Sequence, residues 1–313
     1  MDKEIKKVEE WEMRGFVTLA VGDEKYYKLA VNLLKSYKHN TKERFPFAII
    51  ADRENQYTRL FDKTILLKDA SCSYMDKLEM LNNPPFDENI FIDTDCLVYK
   101  DINKYWDYFS EYVAEGVTCF GKALPITSHE GWFELENIGE YKNKIKFIPQ
   151  MHGGILFFKN DDLTKVIYKT VLSIAENYRR YRFKYFDNPA DEPILALSMA
   201  VNNIKPIDLP QGEKEQVFLF YPTVRKAFID MKMGKVSYKN GKGDLVEDVL
   251  LVHWQNINTE KPKYKIEVKK IDGNFKFVLF LLNIWYYLSY YVKYNFLRVG
   301  NKLMQKMKQR SKL

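Results

Sequence analysis

Cysteine is scarce in this chain: Cys72, Cys96 and Cys119 are the only three in 313 residues, and they lack the paired spacing of a metal site. An odd, scattered set argues against a disulfide framework and suits buried or neutral thiols in a reducing cytoplasm. The opening residues, Met1-Asp2-Lys3-Glu4-Ile5-Lys6-Lys7, are charged with no apolar stretch behind them, so no secretory signal is expected. The uncharged run Phe277 to Val292 stops at 16 residues, short of the roughly 20 that a spanning helix needs. No internal repeat or low-complexity segment stands out. A surplus of positive charge is missing from the main body: residues 1–259 carry 36 Lys+Arg against 39 Asp+Glu, although the whole chain is +7. An enzyme of nucleic acid would more often carry a basic stripe there, so no nucleic-acid partner is expected.

What is present supports a large core. Hydrophobic residues make up 46% and aromatics 15%, which excludes a disordered chain. The length allows one large α/β domain with a tail, or two modest domains. Apolar runs at 15–21, 45–51, 63–67, 90–92, 155–158 and 249–252 read as strands. Helical spacing links Tyr27, Ala30, Val31, Leu34 and Tyr37, and further helices are expected at 75–81, 161–182 and 188–199. Alternation of this kind predicts a mainly parallel sheet with helices on both faces. Residues 121–150 read as loop with short elements, a candidate acceptor-side lid. Asn240-Gly241 within 237–246 marks a hairpin.

The most informative feature is Asp93-Thr94-Asp95, delivered by the apolar Ile90-Phe91-Ile92. Two acids one residue apart are not both comfortable inside a sheet. At the carboxyl end of a strand, where open α/β sheets bind ligands, they can share a hard divalent cation. An Asp-rich turn after a buried strand is the plainer alternative.

Several stretches, in order, complete a pattern: Thr18-Leu19-Ala20-Val21-Gly22 with Tyr26-Tyr27, Lys77-Leu78, Phe91-Ile92-Asp93-Thr94-Asp95, Gly153-Gly154-Ile155-Leu156, Asp191-Glu192 and Val252-His253-Trp254. Over roughly residues 15–260 the chain resembles nucleotide-sugar glycosyltransferases of the GT-A fold, family 8, the glycogenin and lipopolysaccharide galactosyltransferase type. The resemblance implies that Asp93 and Asp95 bind Mn²⁺ or Mg²⁺ bridging a nucleotide diphosphate, with His253 closing the coordination. An imidazole fits Mn²⁺ better than Mg²⁺. It also implies that Thr18, Ala20, Val21 and Gly22, through their backbone groups, and Tyr27 cradle the nucleotide of a nucleotide-diphosphate sugar. Asp52 is a candidate acceptor for the base or a turn cap, and Lys77 a candidate for the pyrophosphate or a solvated lysine. The resemblance also implies donor-side positions for Thr94 and Gly154, and puts His152 where family members often carry an Asn that contacts donor or acceptor. The family's Gly and Lys after the histidine are replaced by Gln255-Asn256-Ile257-Asn258, with Lys261 a looser match for the phosphate-directed charge.

Asp191-Glu192 stands where the family has an Asp-Gln-like pair. A glutamate there either takes a proton from the acceptor hydroxyl, as in inverting enzymes, or binds sugar hydroxyls during a retaining transfer. The tail, 261–313, is aromatic and then basic: Lys293 to Leu313 holds seven basic residues and no acid. That composition suits a helix lying on the inner face of the cytoplasmic membrane, with a glycan or lipid-linked acceptor; a hairpin packed on the domain or on a second subunit of a homo-oligomer is the alternative. The functional expectation is a glycosyltransferase domain, 1–260, in surface polysaccharide synthesis. Its rivals are a sugar-phosphate nucleotidyltransferase, for which the glycine- and Arg/Lys-rich loop after the first strand is lacking, and an inactive glycan-binding scaffold.

Overall fold

Strand β1 (Arg14–Ala20) opens the described part of a computed structural model, which covers residues 13–221 and 227–272. Helix α1 (Glu24–Asn40) follows, capped by Asp23, whose carboxylate accepts from the Lys25 N–H. Its buried face carries Tyr27, Ala30, Val31, Leu34 and Tyr37 as the spacing predicts. Strands β2 (Phe47–Ala51) and β3 (Lys63–Leu66) come next. The helix expected at 75–81 is a tighter 3₁₀ turn, Tyr74–Leu81. Then follow β4 (Glu88–Ile92), β5 (Cys96–Val98), α2 (Lys104–Tyr112), β6 (Val117–Leu124) and β7 (Ile148–Lys159). Helices α3 (Asp162–Glu176), α4 (Asp191–Val201) and α5 (Gln211–Val217) precede β8 (Leu219–Phe220), β9 (Phe228–Asp230), β10 (Lys235–Lys239), β11 (Leu245–Val246) and β12 (Leu251–His253). A short helix α6 (Asn256–Thr259) ends the first of two compact units, Met1–Thr259. In the second, Glu260–Leu313, the described residues form α7 (Pro262–Ile271), with proline in its first turn.

The central sheet runs β3-β2-β1-β4-β7-β6. The four strands β3, β2, β1 and β4 are parallel, and β7 lies antiparallel to both β4 and β6. Successive residues of β1 serve opposite faces: Phe16 packs with Tyr37, Phe47 and Trp106, and Val17 with Leu78, Phe91 and Ile194. Both faces are therefore covered, which is why these strands read as continuous apolar runs. The expected α/β class, a mainly parallel sheet between helices, is the architecture observed.

Two differences from the sequence reading matter. Residues 121–124 and 148–150 are not loop; they extend β6 and β7, which pair across a register shift at Cys119/Gly121. The helix expected at 161–182 stops at Glu176, and a 3₁₀ turn, Tyr178–Tyr181, leads to Arg182 in the left-handed region at φ 46°. Among the described residues no helix is long and apolar enough to cross a membrane. The aromatic and basic stretch 277–313 lies outside the described residues.

Candidate active site

Topology creates the site. From β1 the chain moves outward to β2 and β3, then returns to place β4 on the other side of β1. Such a reversal leaves a crevice beyond the strand ends. Pairing of β1 with β2 continues to Ala20/Ala51, whereas pairing with β4 stops at Val17/Phe91. Thr18 sits at this divergence, fully buried, with its hydroxyl donating to the Ile92 carbonyl at 2.8 Å. Its side chain holds the splay together and is not free for a nucleotide. Ala20 is likewise buried, while Val21 and Gly22 emerge partly exposed.

Gly22 adopts φ +75°, and a side chain there would meet the Cys72 Sγ at 3.0 Å. Its N–H donates to Asp52 Oδ1 at 3.3 Å, and Tyr27 donates its hydroxyl to the same oxygen. Arg53 pairs with Asp52 Oδ2 at 2.7 Å, donates to the Gly22 carbonyl at 2.7 Å, and lies over the Tyr27 ring. Asp52 thus ties three chain segments together at the rim. Burial, then the bond to Asp52, pushes the Tyr27 hydroxyl up to about 12.

Because β7 is antiparallel, its early residues meet the end of β4. The Asp93 N–H donates to the Gly154 carbonyl at 3.0 Å. Asp93 to Cys96 form a tight turn, closed by the Cys96 N–H on the Asp93 carbonyl at 3.1 Å, and this turn starts β5. Strand β12 pairs antiparallel with β5, placing His253 opposite Cys96. Consequently His253 Nε2 lies 3.0 Å from Asp95 Oδ1 and 3.9 Å from Asp93 Oδ2. The structure brings together all three side chains singled out for a metal. Cys96 adds its Sγ within 4.8 Å of Asp95 and His253, a neighbour that sequence reasoning did not single out. Burial raises this thiol well above its ordinary value, so it stays protonated.

Lys77 is buried, not solvated. Its Nζ lies 2.9 Å from Asp93 Oδ1, 2.6 Å from the Gly153 carbonyl and 3.0 Å from Asp191 Oδ2. Burial opposes its charge, yet the carboxylates of Asp191 and Asp93 outweigh that and hold the ammonium above its usual range. Removing one member of a buried ion cluster costs on the order of 3–5 kcal/mol. Burial raises the Asp93 carboxyl against the pull of Lys77 and His253. At Asp95 burial is overcome by the hydrogen bond from His253, which lowers it, and the same bond raises His253 despite burial.

Helix α4 supplies the second acidic pair from its first turn. Asp191 answers Lys77, and Glu192 Oε1 accepts the Gly153 N–H at 2.7 Å. Burial, then the neighbouring Asp191 charge, lifts the Glu192 carboxyl to about 7. His152 accepts the Gly154 N–H on Nδ1 at 3.0 Å, and its ring meets that of His253 edge-on at 5.0 Å. Burial lowers it to about 3, so it is neutral. Phe218 and Phe220, unmarked in the sequence, wall this histidine at 5.4 and 4.9 Å. Gly153 and Gly154 allow this close packing: a Cβ on the first would stand 3.0 Å from Glu192 Cγ, and on the second 3.0 Å from His253 Nδ1. Thr94 sits partly exposed in the turn between the two acids, whereas Lys261 belongs to the second unit as the residue capping α7.

No family model matches the sequence, and no curated protein matches it. Solved structures similar to it include the bifunctional glycosyltransferase WbbM, 14% identical over 67% of this chain and 40% of that one, with a TM-score of 0.42. A second is the glycosyltransferase GlyE of Streptococcus pneumoniae TIGR4, 13% identical over 64% of this chain and 46% of that one, with a TM-score of 0.40. A third is the galactosyltransferase LgtC in complex with donor and acceptor sugar analogs, 13% identical over 83% of this chain and 95% of that one, with a TM-score of 0.47. The chain spans less than half the length of the first two. Likeness at this level carries no argument about chemistry, which must come from the side chains.

Proposed function

We propose that this chain is a metal-dependent glycosyltransferase of the GT-A type, which moves a sugar from a nucleotide-diphosphate sugar to a glycan or lipid-linked acceptor. The observation that carries the reading is the convergence of Asp93, Asp95 and His253 on one point beside Lys77 at the sheet's crevice. Two carboxylates and an imidazole form a donor set for a divalent cation, Mn²⁺ ahead of Mg²⁺ because of the nitrogen. Asp93, Asp95 and His253 would hold such a cation, and the 3.0 Å contact of His253 Nε2 with Asp95 Oδ1 shows that their ligand atoms face one another. When bound, that ion supplies Lewis-acid stabilisation of negative charge on the departing nucleoside diphosphate.

The chain's own groups do the rest. Lys77 pins Asp93 and Asp191 to one side, leaving Asp93 Oδ2 turned toward His253. Gly22 and its Asp52–Arg53–Tyr27 support form the rim against which the nucleotide rests. Glu192, titrating near neutrality, is the group suited to accept the acceptor hydroxyl's proton. Neutral His152 and the phenyl rings beside it exclude water from the reacting carbon. Residues 1–260 are read as the catalytic domain. The basic 261–313 segment is read as holding it at the inner membrane face, in a surface polysaccharide pathway.

The test is thermal stabilisation of the full chain by a panel of nucleotide-sugars with and without Mn²⁺, followed by donor hydrolysis. We expect Mn²⁺-dependent stabilisation by at least one donor, slow hydrolysis of it, and loss of both in Asp95→Asn. Metal-independent binding without hydrolysis would sink the enzyme reading in favour of a glycan-binding protein.

A further inference from the structure

Between helix α5, strand β8 and the β9–β11 sheet lies a cleft of about 1400 Å³. Pockets for drug-sized ligands run from about 300 to 1,000 Å³, so this one has room for several sugar rings. Four lysines reach it from three elements and a turn: Lys122 of β6, Lys214 of α5, Lys239 of β10 and Lys242 of the β10–β11 turn. Only two acids line it against these four lysines. Asp208 lies 3.9 Å from Lys214, and Glu215 Oε1 accepts the Asn240 amide at 2.9 Å. The cleft is therefore positive within a body whose formal charge over residues 1–259 is −3. Partial burial, then the charge of Lys122, lowers the Lys214 ammonium, and the Asp208 carboxylate offsets this only in part.

The cleft runs inward toward His152. Leu209, Lys214 and Phe218 are shared with a smaller cavity of about 150 Å³ that reaches His152. Beyond it His152, Phe218 and His253 pack too closely to admit a water molecule, so His152 is the wall the cleft shares with the Asp93–Asp95–His253 cluster. Aromatic rings, Phe218 and Phe220 at the inner end and Tyr238 further out, line the path and suit the apolar faces of pyranose rings. A lipid surface would meet a protruding or flat basic patch; this charge is concave and interleaved with rings.

We infer that this cleft binds the acceptor, and that the acceptor is an anionic glycan, a sugar chain carrying carboxylate or phosphate groups. The inference rests on the glycosyltransferase reading for the word acceptor, but the binding itself is testable without it. The full chain is titrated calorimetrically with tri-galacturonate, with a mannose 6-phosphate-bearing oligosaccharide and with neutral maltotriose, at about 50 and about 300 mM NaCl. At least one anionic probe is expected to bind about tenfold or more tightly than maltotriose, and to weaken at the higher salt. The exposed double variant Lys239→Ala/Lys242→Ala, and separately Lys122→Ala, should each reduce that affinity while leaving Mn²⁺-dependent donor hydrolysis unchanged. Equal affinity for neutral and anionic probes, no binding of either anionic probe, or indifference to both lysine variants overturns the proposal. So does competition by phosphatidylglycerol vesicles through the same lysines, which would assign the cleft to a membrane. Should donor hydrolysis be absent from the parent chain while lysine-dependent glycan binding persists, the enzyme reading fails and the cleft stands as a glycan site.

Discussion

At the scale of single residues, Glu192 carries the sharpest consequence. Its folded-state carboxyl stands at about 7, above the ordinary 4.5, so the folded chain binds that proton more tightly than the unfolded one. The stability this brings is complete below pH 4.5 and is lost as pH rises through 7. The difference amounts to on the order of 3 kcal/mol. Glu192→Gln keeps an oxygen for the Gly153 N–H and cannot ionise. It is expected to melt higher than the parent at pH 8, to match it at pH 4, and to lose transfer activity by about 100-fold if the carboxylate takes the acceptor proton. Melting curves at the two pH values and a pH–rate profile check this; a profile without an acid limb near 7 would return Glu192 to a sugar-binding role. The two carboxylates of Asp-x-Asp were legible in the sequence because acids after an apolar run have few places to go. Lys77 was legible only as an even choice between a solvated and a functional lysine, since nothing local tells that its ammonium will be buried against Asp93, Asp191 and the Gly153 carbonyl.

At the scale of elements, the site depends on β7 running against β4. Only that direction sets Gly153 and Gly154 beside Asp93, and the closeness leaves a side chain little room. Gly154→Ala would press a methyl group to within 3.0 Å of both the His152 and His253 rings, which have Phe218 and Phe220 behind them. Overpacking of this kind costs roughly 1–3 kcal/mol, tolerable for a unit of this size. The expected outcome is a variant with unchanged far-ultraviolet circular dichroism whose Mn²⁺ affinity falls at least about tenfold; unchanged affinity would remove His253 from the ligand set. Strands such as β1, β2 and β4 announced themselves as apolar runs because the sheet is covered on both faces. Three-residue β5 and two-residue β8 did not. Their conformation is imposed by pairing with β12, which lies far along the chain and which periodicity within a short window does not register. The acids were therefore readable without the strand that turns them toward His253.

At the scale of the whole molecule, charge is segregated. Residues 260–313 hold 13 Lys+Arg against 3 Asp+Glu, a surplus of ten, while the rest of the chain is slightly acidic. Basic residues near an anionic leaflet contribute about 1 kcal/mol each and are screened within a Debye length. Deleting 275–313 is expected to abolish co-sedimentation with vesicles containing phosphatidylglycerol and to leave hydrolysis of a soluble donor intact; persistent co-sedimentation would place the membrane contact elsewhere. The chain's compositional split is visible in sequence alone. The basic cleft is not, because its four lysines are scattered from position 122 to 242 and only the fold gathers them.

The Asp93-Thr94-Asp95 turn is also a joint. It leaves the six-stranded sheet at Ile92 and enters the small β5-β12-β8 sheet at Cys96, while His253 reaches it from the small sheet alone. The two sheets already share one hydrophobic core, and an ion held by Asp93, Asp95 and His253 would add a polar clasp at the rim where they part.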